Sequence, residues 1–545
     1  MELVSQWNAP PMVGPRPYYQ LLLNPDPALG DLTPPTLHRL DSVIRERRAY
    51  IERGIDRRIL ARSLKESHER RGAPASTLAA IDQINHPDVF LIVAGQQPGL
   101  LGGPLLVVYK ILHAILLADK LSRERPQTFL PAYWNAAEDH DFPEIAVYKW
   151  LTKDKTIATF AWPGDAQSRR PYFRIPRSEC PLEDLLQQIQ SSLHPTEYVS
   201  SILETVRSCA RPAAWYPDFI DRLIWTLFPN EGLLILRPDD SFVREAARPL
   251  MEKEIRQPAH AAASVEEISG RWDRLGLPAQ LHKRADRASF FLIEEDQRIP
   301  LRIVDDGRFA GEDKTYTRDE LLRRLDRQPE VFSSSAILRP VIQDAVFPTA
   351  GFVLGPSEAG YHVLLRGVYE NHGVPRPVLV PRFGCTLIEG REMQLLERYG
   401  LVPGDLFEHP AALVKRITRA ASGIDWSGLK ANVKASMAAL FDTWINQARE
   451  ADPTIVAVLE KNLGKIRKEI ENSESLLVRR LAGTGQKIRD HVESLRSALY
   501  PEAALQERIF NVFPYVMKYG MGFMPDLKQT CAAVAEGGHG IVLIK

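Results

Sequence analysis

The chain has little of what marks several protein classes. Only four of its 545 residues are cysteine: Cys180, Cys209, Cys385 and Cys531. They lie far apart, with no CxxC or zinc-ribbon spacing, so neither a disulfide framework nor a structural zinc site is encoded. Charge of one sign is not in excess either, since 69 Lys and Arg balance 69 Asp and Glu. A dedicated nucleic-acid binder would show a basic surplus, and a disordered chain would combine net charge with few apolar residues. Here 44% of residues are hydrophobic, so a large buried core is expected. No apolar run is long and clean enough to span a bilayer. The most apolar window, 100–118, contains Lys110, His113 and two glycines. The first residues, MELVSQWNAPPMVG, lack a basic segment followed by an apolar one, so no signal peptide is expected. There is no fixed-period repeat, no GxGxxG and no GxxxxGK[ST]. Together these absences predict a cytoplasmic globular protein with no nucleic-acid and no membrane partner.

What is present is an α/β pattern followed by a helical one. The first 35 residues read as an irregular arm, and residues 36–71 as helical, with arginines on a solvated face. The run Val89 to Ala94 is continuously apolar and rich in β-branched residues, which suits a strand buried on both faces of a parallel sheet. The loop GQQPGLLGGP (95–104) follows, then a helical pattern over 105–121 with Pro104 at the first helical position, then a strand at 128–134. This βαβ unit predicts a doubly wound sheet. Ligands bind such sheets beyond the carboxyl ends of the strands, where the Gly-rich loop and the acidic run after Trp134 both fall. Further strands are expected at 233–237, 289–294, 299–304, 337–342 and 376–381, with 151–205 and 250–335 as insertions into a core spanning 1–385. From 386 to 510 the pattern becomes a helical arm. One apolar set runs through Trp426, Leu429, Val433, Met437, Leu440, Trp444 and Ala448. A second follows heptad spacing from Val456 to Ile470, and a third resumes from Leu477 through Leu481, Ile488, Val492, Leu495 and Leu499. Pro453 sits at the start of the second helix of an antiparallel coiled coil. Gly483–Lys487 reads as a hinge or irregularity within that arm. The segment 511–545 returns to the core, ending in a strand.

Two stretches could carry chemistry. The loop 95–104 offers backbone amides at a helix N-terminus, which favours an anion, although its glycines could also serve conformation alone. The run Asn135-Ala-Ala-Glu138-Asp139-His140-Asp141 gathers three carboxylates and an imidazole, which repel or must be paired, solvated or holding an amine. His140 or Asp141 is a candidate proton acceptor there. Loop capping is the alternative, and adjacent residues cannot all reach one ion, so no metal site is assigned.

The blocks AGQQPGLLGGPLLVVYK (94–110), PAYWNAAEDHDFPE (131–144), ILRPVIQDAVFPTAGFVLGPSEAGYH (337–362), PVLVPRFGCTLIE (377–389) and LYPEAALQERIFNVFPYVMKYG (499–520) occur in order. In them the chain resembles the cysteine-adding enzymes of bacillithiol biosynthesis, the BshC family of cysteine ligases. The resemblance implies a Rossmann-like parallel core with connecting insertions, plus a long α-helical antiparallel coiled coil that makes a homodimer. It implies addition of L-cysteine to glucosaminyl malate through an amide, with ATP as the expected activator and Mg²⁺ as its default companion. No HxGH-type motif or KMSKS-like loop is present, so no cofactor-binding residues are assigned. By the same resemblance Gly95, Gln96, Gln97, Gly99 and Gly103 bind substrate, as do Trp134, Asn135, Asp139, Arg339, Gln343 and Asp344, with Arg339 a carboxylate clamp. Glu138, His140 and Asp141 are the catalytic candidates. Gly355, Pro356 and Glu358 fit a following turn, and Gln506, Glu507, Arg508 and Asn511 fit the point where the arm rejoins the core. Rival readings are a nucleotidyl- or glycosyl-transferring enzyme on a related fold, and a non-catalytic dimeric scaffold.

Overall fold

A computed structural model describes the chain except residues 8–16, 278–283, 306, 422–425 and 481. It divides into two compact units, Met1–Leu387 with Leu505–Lys545, and Ile388–Ala504.

The first unit is built on a five-stranded parallel sheet. Its strands are β2 (Val89–Gln96), β3 (Thr128–Asn135), β6 (Leu234–Leu236), β12 (Thr349–Leu354) and β13 (Val378–Pro381), in the order β13-β12-β2-β3-β6. The strand order reverses between β2 and β12, the place where doubly wound sheets open a crevice. Strand β2 is buried on both faces: Val89, Leu91 and Val93 pack into one hydrophobic cluster, Phe90, Ile92 and Ala94 into another. A continuous apolar run is what that environment requires. The helix Leu105–Glu124 returns the chain from β2 to β3 and is buried over most of its surface. Two additions interrupt the alternation. Between β3 and β6 lie the pair β4 (Val147–Leu151) and β5 (Ile157–Ala161) and three amphipathic helices. Between β6 and β12 an antiparallel sheet forms from β7 (Arg287–Glu294), β8 (Gln297–Asp305), β9 (Arg308–Ala310), β10 (Thr315–Thr317) and β11 (Phe332–Ser334).

Several sequence expectations are corrected. The N-terminal segment is not wholly irregular: β1 (Glu2–Trp7) pairs antiparallel with β15 (His539–Ile544), which also joins β14 (Gly384–Glu389). Residues 36–71 form two helices, Leu40–Gly54 and Arg57–Arg71. Asp56 breaks them, because its side chain caps the second by accepting from the amides of Arg58 and Ile59. Nor are their arginines all solvated. Arg47 is buried and donates to the carbonyls of Asp344 and Pro375. Arg71 is buried against Asp221 at 2.6 Å. The expected strand at 337–342 is instead the start of the helix Arg339–Val346, whose first turn tolerates Pro340 because that position has no amide partner to lose. Pro104 is the N-cap of the helix Leu105–Glu124, one position before the place expected.

The second unit is helical, with Trp426–Ala451 and Val456–Arg480 as an antiparallel hairpin turning at Asp452-Pro453. Lys434 and Glu471 pair across it at 2.6 Å. The hairpin buries Phe441, Ile445 and Leu463. Leu429, Val433, Leu440 and Trp444, read from spacing as the seam, are instead 51%, 40%, 61% and 60% exposed. The helix therefore carries two apolar stripes, and the hairpin uses the other one. Ile488, Val492, Leu495 and Leu499 are buried on the helix Ala482–Leu499. The side chains of Trp426, Leu477 and Leu481 lie outside the described residues. The backbone of 483–487 is continuous helix, not a hinge.

Candidate active site

The carboxyl ends of β2, β3 and β12 open onto a cavity of about 760 Å³, a volume ordinary for a small-molecule site. Gly95, Gln96, Gln97, Gly99, Gly103, Trp134, Glu138, Asp139, His140 and Arg339 all line it. The fold thus joins three sequence blocks separated by some 240 residues. Asn135, Asp141, Gln343 and Asp344 do not line it. Asn135 is buried and donates to Asp221 at 2.7 Å. Asp141 is exposed, and its carbonyl accepts from the Tyr172 hydroxyl at 2.8 Å. Gln343 donates to Asp344 at 3.0 Å and accepts from Arg339 at 3.0 Å, while Asp344 accepts from the Tyr369 hydroxyl at 2.5 Å. Gln343 and Asp344 form a buried layer behind the site that aims Arg339. Burial pushes the Asp344 carboxyl above its usual range, and Arg47 opposes that shift.

Several amides of the Gly-rich loop and of the helix start are engaged within the protein. The amide of Gly99 donates to the Gln97 carbonyl, Gly102 to Gly99, Gly103 to Leu100, Leu105 to Phe510 and Val107 to Pro104. Those five donors are therefore not free for a ligand. The glycines answer a steric need. A Cβ on Gly99 would stand 2.9 Å from the Gly103 Cα, and Gly103 has φ +82°, where L side chains are strained.

What the loop does present is side chains. Lys110, one helical turn and a half into Leu105–Glu124, reaches back to the Gly95 carbonyl at 2.9 Å and Gln96 Oε1 at 2.8 Å. It pairs with Glu358 at 2.7 Å, and burial pushes its ammonium below the ordinary lysine value against that partner. Gln96 Nε2 donates to Gln97 Oε1 at 2.8 Å, and Gln97 Nε2 donates to Glu144 at 2.5 Å and Asp139 at 3.3 Å. Arg339 lies between two rings, 5.7 Å from that of Trp134 and 5.5 Å from that of Phe352. Such stacking holds a guanidinium flat for a carboxylate.

The acidic run is differentiated by its partners. Glu138 is buried and accepts from Arg244 at 3.1 Å, Ser333 Oγ at 2.9 Å, the Ser334 amide at 3.2 Å and Ser334 Oγ at 2.5 Å. So engaged, it anchors β11 beneath the cavity, and the catalytic role read for it from sequence does not match this geometry. His140 Nδ1 stands 2.7 Å from Arg298 Nη1. A guanidinium only donates, so Nδ1 accepts and a neutral ring carries its hydrogen on Nε2. Burial, then the Arg298 charge, lowers the imidazole below its ordinary value. His140 is therefore a donor here, not the proton acceptor expected. Asp139 accepts from the His140 amide at 2.9 Å and pairs with Arg298 at 3.3 Å. Glu144 lines the same cavity at its exposed edge, and partial desolvation followed by the charges of Asp139 and Asp141 pushes its carboxyl up to about 6.

Sequence reasoning passed over Lys110, Glu144, Phe291 and Arg298. Lys110 carried a signal, as a lone charge in an apolar helix. Arg298 and Phe291, stacked at 4.1 Å, reach the cavity from the β7–β8 hairpin and carried none. Among the described residues no group of three or more His, Cys, Asp or Glu is placed to hold a metal ion.

Comparison with known proteins agrees with this arrangement. Residues 33–383 match the family described as Bacillithiol biosynthesis BshC, N-terminal Rossmann-like domain, and residues 385–543 its C-terminal coiled-coil domain. A Salinibacter ruber protein named "Putative cysteine ligase BshC" is 29% identical over 484 residues, covering 88% of each chain. Proteins of the same name from Koribacter versatilis and Heliobacterium modesticaldum are 30% and 31% identical, covering 88% of each chain for the first and 86% of this chain and 87% of the other for the second. Among solved structures, the methionyl-tRNA synthetase of Mycobacterium tuberculosis matches with 12% identity and a TM-score of 0.22, over 80% of this chain and 94% of that one. A TM-score that low carries nothing about fold or activity. With both domains of the family matched along most of its length, the chain belongs to the BshC family of bacillithiol biosynthesis and is, in enzyme class, a ligase.

Proposed function

We propose that the protein adds L-cysteine to the amine of glucosaminyl malate by forming an amide, the last step of bacillithiol biosynthesis, through an activated cysteinyl carboxylate. One observation carries this reading: a single cavity of the right size sets a ring-stacked arginine, Arg339, beside the carboxylates of Asp139 and Glu144. The arginine suits the malyl carboxylates, and the acids suit the amino sugar before its nitrogen is acylated. Trp134 supplies an apolar wall, and His140 and Arg298 supply donors for hydroxyl or carbonyl oxygens.

A carboxylate does not acylate an amine in water, so the cysteine must arrive at the amine activated. ATP is the simplest activator, with Mg²⁺ as its usual companion. The chain carries no GxxxxGK[ST] loop to cradle a triphosphate, so no step is assigned to a nucleotide. Two further readings belong with the function. The exposed stripe Leu429, Val433, Leu440 and Trp444 supports a homodimer through the coiled coil, since isolated apolar residues are common on surfaces but a contiguous row on one helix face is not. Four buried free thiols, with Cys385 and Cys531 Sγ atoms 3.7 Å apart, support a cytoplasmic site. Among the described residues no helix is long and apolar enough to cross a membrane.

Calorimetric titration tests the substrate reading. Glucosaminyl malate should bind the wild-type protein and bind Arg339→Ala at least about tenfold more weakly. Absence of binding to the wild type, or equal affinity in the variant, contradicts it.

A further inference from the structure

An amino sugar carries an ammonium at neutral pH, and an ammonium has no lone pair with which to attack. We propose that Glu144 is the base that removes this proton, and that Gln97 is its positioning residue, set by a side-chain relay that starts at Lys110. The assignment rests on the functional reading above.

The relay is continuous. Glu358 holds Lys110 at 2.7 Å, Lys110 donates to Gln96 Oε1 at 2.8 Å, Gln96 donates to Gln97 Oε1 at 2.8 Å, and Gln97 donates to Glu144 Oε2 at 2.5 Å. Because lysine can only donate, both amides are fixed in orientation, each with its oxygen toward the lysine and its nitrogen toward the acids. The second branch of Gln97, to Asp139 at 3.3 Å, ties the same amide to the Arg298 cluster.

The neighbouring acids and the imidazole are otherwise engaged. Four donors occupy Glu138, Arg298 occupies the acceptor nitrogen of His140, Asp139 is ion-paired with Arg298, and Asp141 stands outside the cavity. Glu144 is engaged at Oε2 alone among the described residues, and it lines the cavity. The groups facing it are Asp139 and Asp141 from the preceding loop and Tyr172 from the turn Tyr172–Arg174, with His140 and Arg298 beyond Asp139. Partial burial and the two aspartates, with no ion pair to it among the described residues, leave its carboxyl near 6, in the range that lets a base be ionised at neutral pH yet accept a proton.

In the step, Glu144 takes one proton from the ammonium and becomes the neutral acid. The freed lone pair forms the C–N bond to the acyl carbon of activated cysteine. The leaving group departs with the electrons of its bond to that carbon, and the nitrogen sheds its second proton to solvent.

The test is the pH dependence of amide formation by the full-length protein, with glucosaminyl malate, cysteine and ATP. The wild-type rate should rise through a pKa near 6. Glu144→Gln should lose about 100-fold or more and the acidic limb with it, whereas Glu144→Asp should recover part of the rate. Gln97→Ala should lower kcat and displace the limb with little change in KM, which loss of a merely structural contact would not do. Independently of turnover, the side-chain carbon resonance missing from labelled Glu144→Gln should titrate near 6 in the wild type. Undiminished amide formation by Glu144→Gln overturns the base assignment alone. Absence of amide from the wild type overturns the functional reading and the assignment together.

Discussion

Single residues in this protein are explained by what they are bonded to, and their neighbours in sequence are a poor guide. Four residues of one run, Glu138 to Asp141, meet four environments: a buried anchor, an ion pair, a donor ring and an exposed side chain. Spacing identified the cluster but could not divide the labour, because the deciding partners, Arg244, Arg298 and Ser334, lie more than 100 residues away in sequence. Glu144 carries a stability prediction with a definite sign. Its carboxyl is raised from 4.5 to about 6, so ionising it costs the folded state more than the unfolded one. Its contribution is fully present below pH 4.5 and is lost as pH rises through about 6. Glu144→Gln should therefore be more stable than wild type at pH 8, by no more than about 1 kcal/mol once solvent screening is allowed for. The difference should vanish near pH 4, as urea denaturation at the two pH values would show. At Arg47 the expectation is the opposite. Arg47→Ala leaves the buried carbonyls of Asp344 and Pro375 without their donor and removes the charge that offsets the buried Asp344 carboxylate, and should cost about 3–5 kcal/mol in the same measurement. A third variant, Arg339→Lys, keeps the charge but loses the flat stacked fork. It should raise KM for glucosaminyl malate about tenfold or more with a smaller effect on kcat, measured by steady-state kinetics.

Elements were legible in proportion to how one-sided their environment is. Strand β2 has only apolar surroundings, and a run of apolar residues announces it. The helix Trp426–Ala451 has two apolar stripes, and periodicity alone favours neither. The stripe that spacing selected faces solvent, while Phe441 and Ile445 make the hairpin. Residues 337–342 misled for another reason: Ile337, Leu338, Val341 and Ile342 suit a buried strand as well as a buried helix, and only the place of Pro340 in a first turn decides between them. The proposed dimer gives the two stripes separate consequences. Leu440→Glu with Trp444→Glu should yield monomers by light scattering with helical content unchanged. Phe441→Ala should instead destabilise the hairpin by about 3 kcal/mol.

At the scale of the molecule, the sequence blocks delimited a parallel core and a helical excursion. They marked β7 and β8 in the runs 289–294 and 299–304, but not that these join β9, β10 and β11 in a separate antiparallel sheet, because β11 pairs with β7 from far along the chain. Nor did they reveal that β1 closes a sheet with the last strand. Within the first unit the chain leaves at Leu387 and returns at Leu505, and the break is sealed by Gln506, whose side chain accepts from the Leu387 amide at 2.8 Å and donates to its carbonyl at 2.9 Å. Excursions whose ends are adjacent are tolerated replacements. Exchange of residues 389–504 for a short Gly-Ser linker should leave a cooperatively folded α/β unit by circular dichroism. The central claim is that the cavity at the carboxyl ends of β2, β3 and β12 joins cysteine to glucosaminyl malate. It is tested most directly by incubating the full chain with both substrates and ATP and weighing the products by mass spectrometry. The account predicts a species with the summed mass of the two substrates less one water, absent when the protein is omitted. Both substrates recovered unchanged from active, folded protein would contradict it.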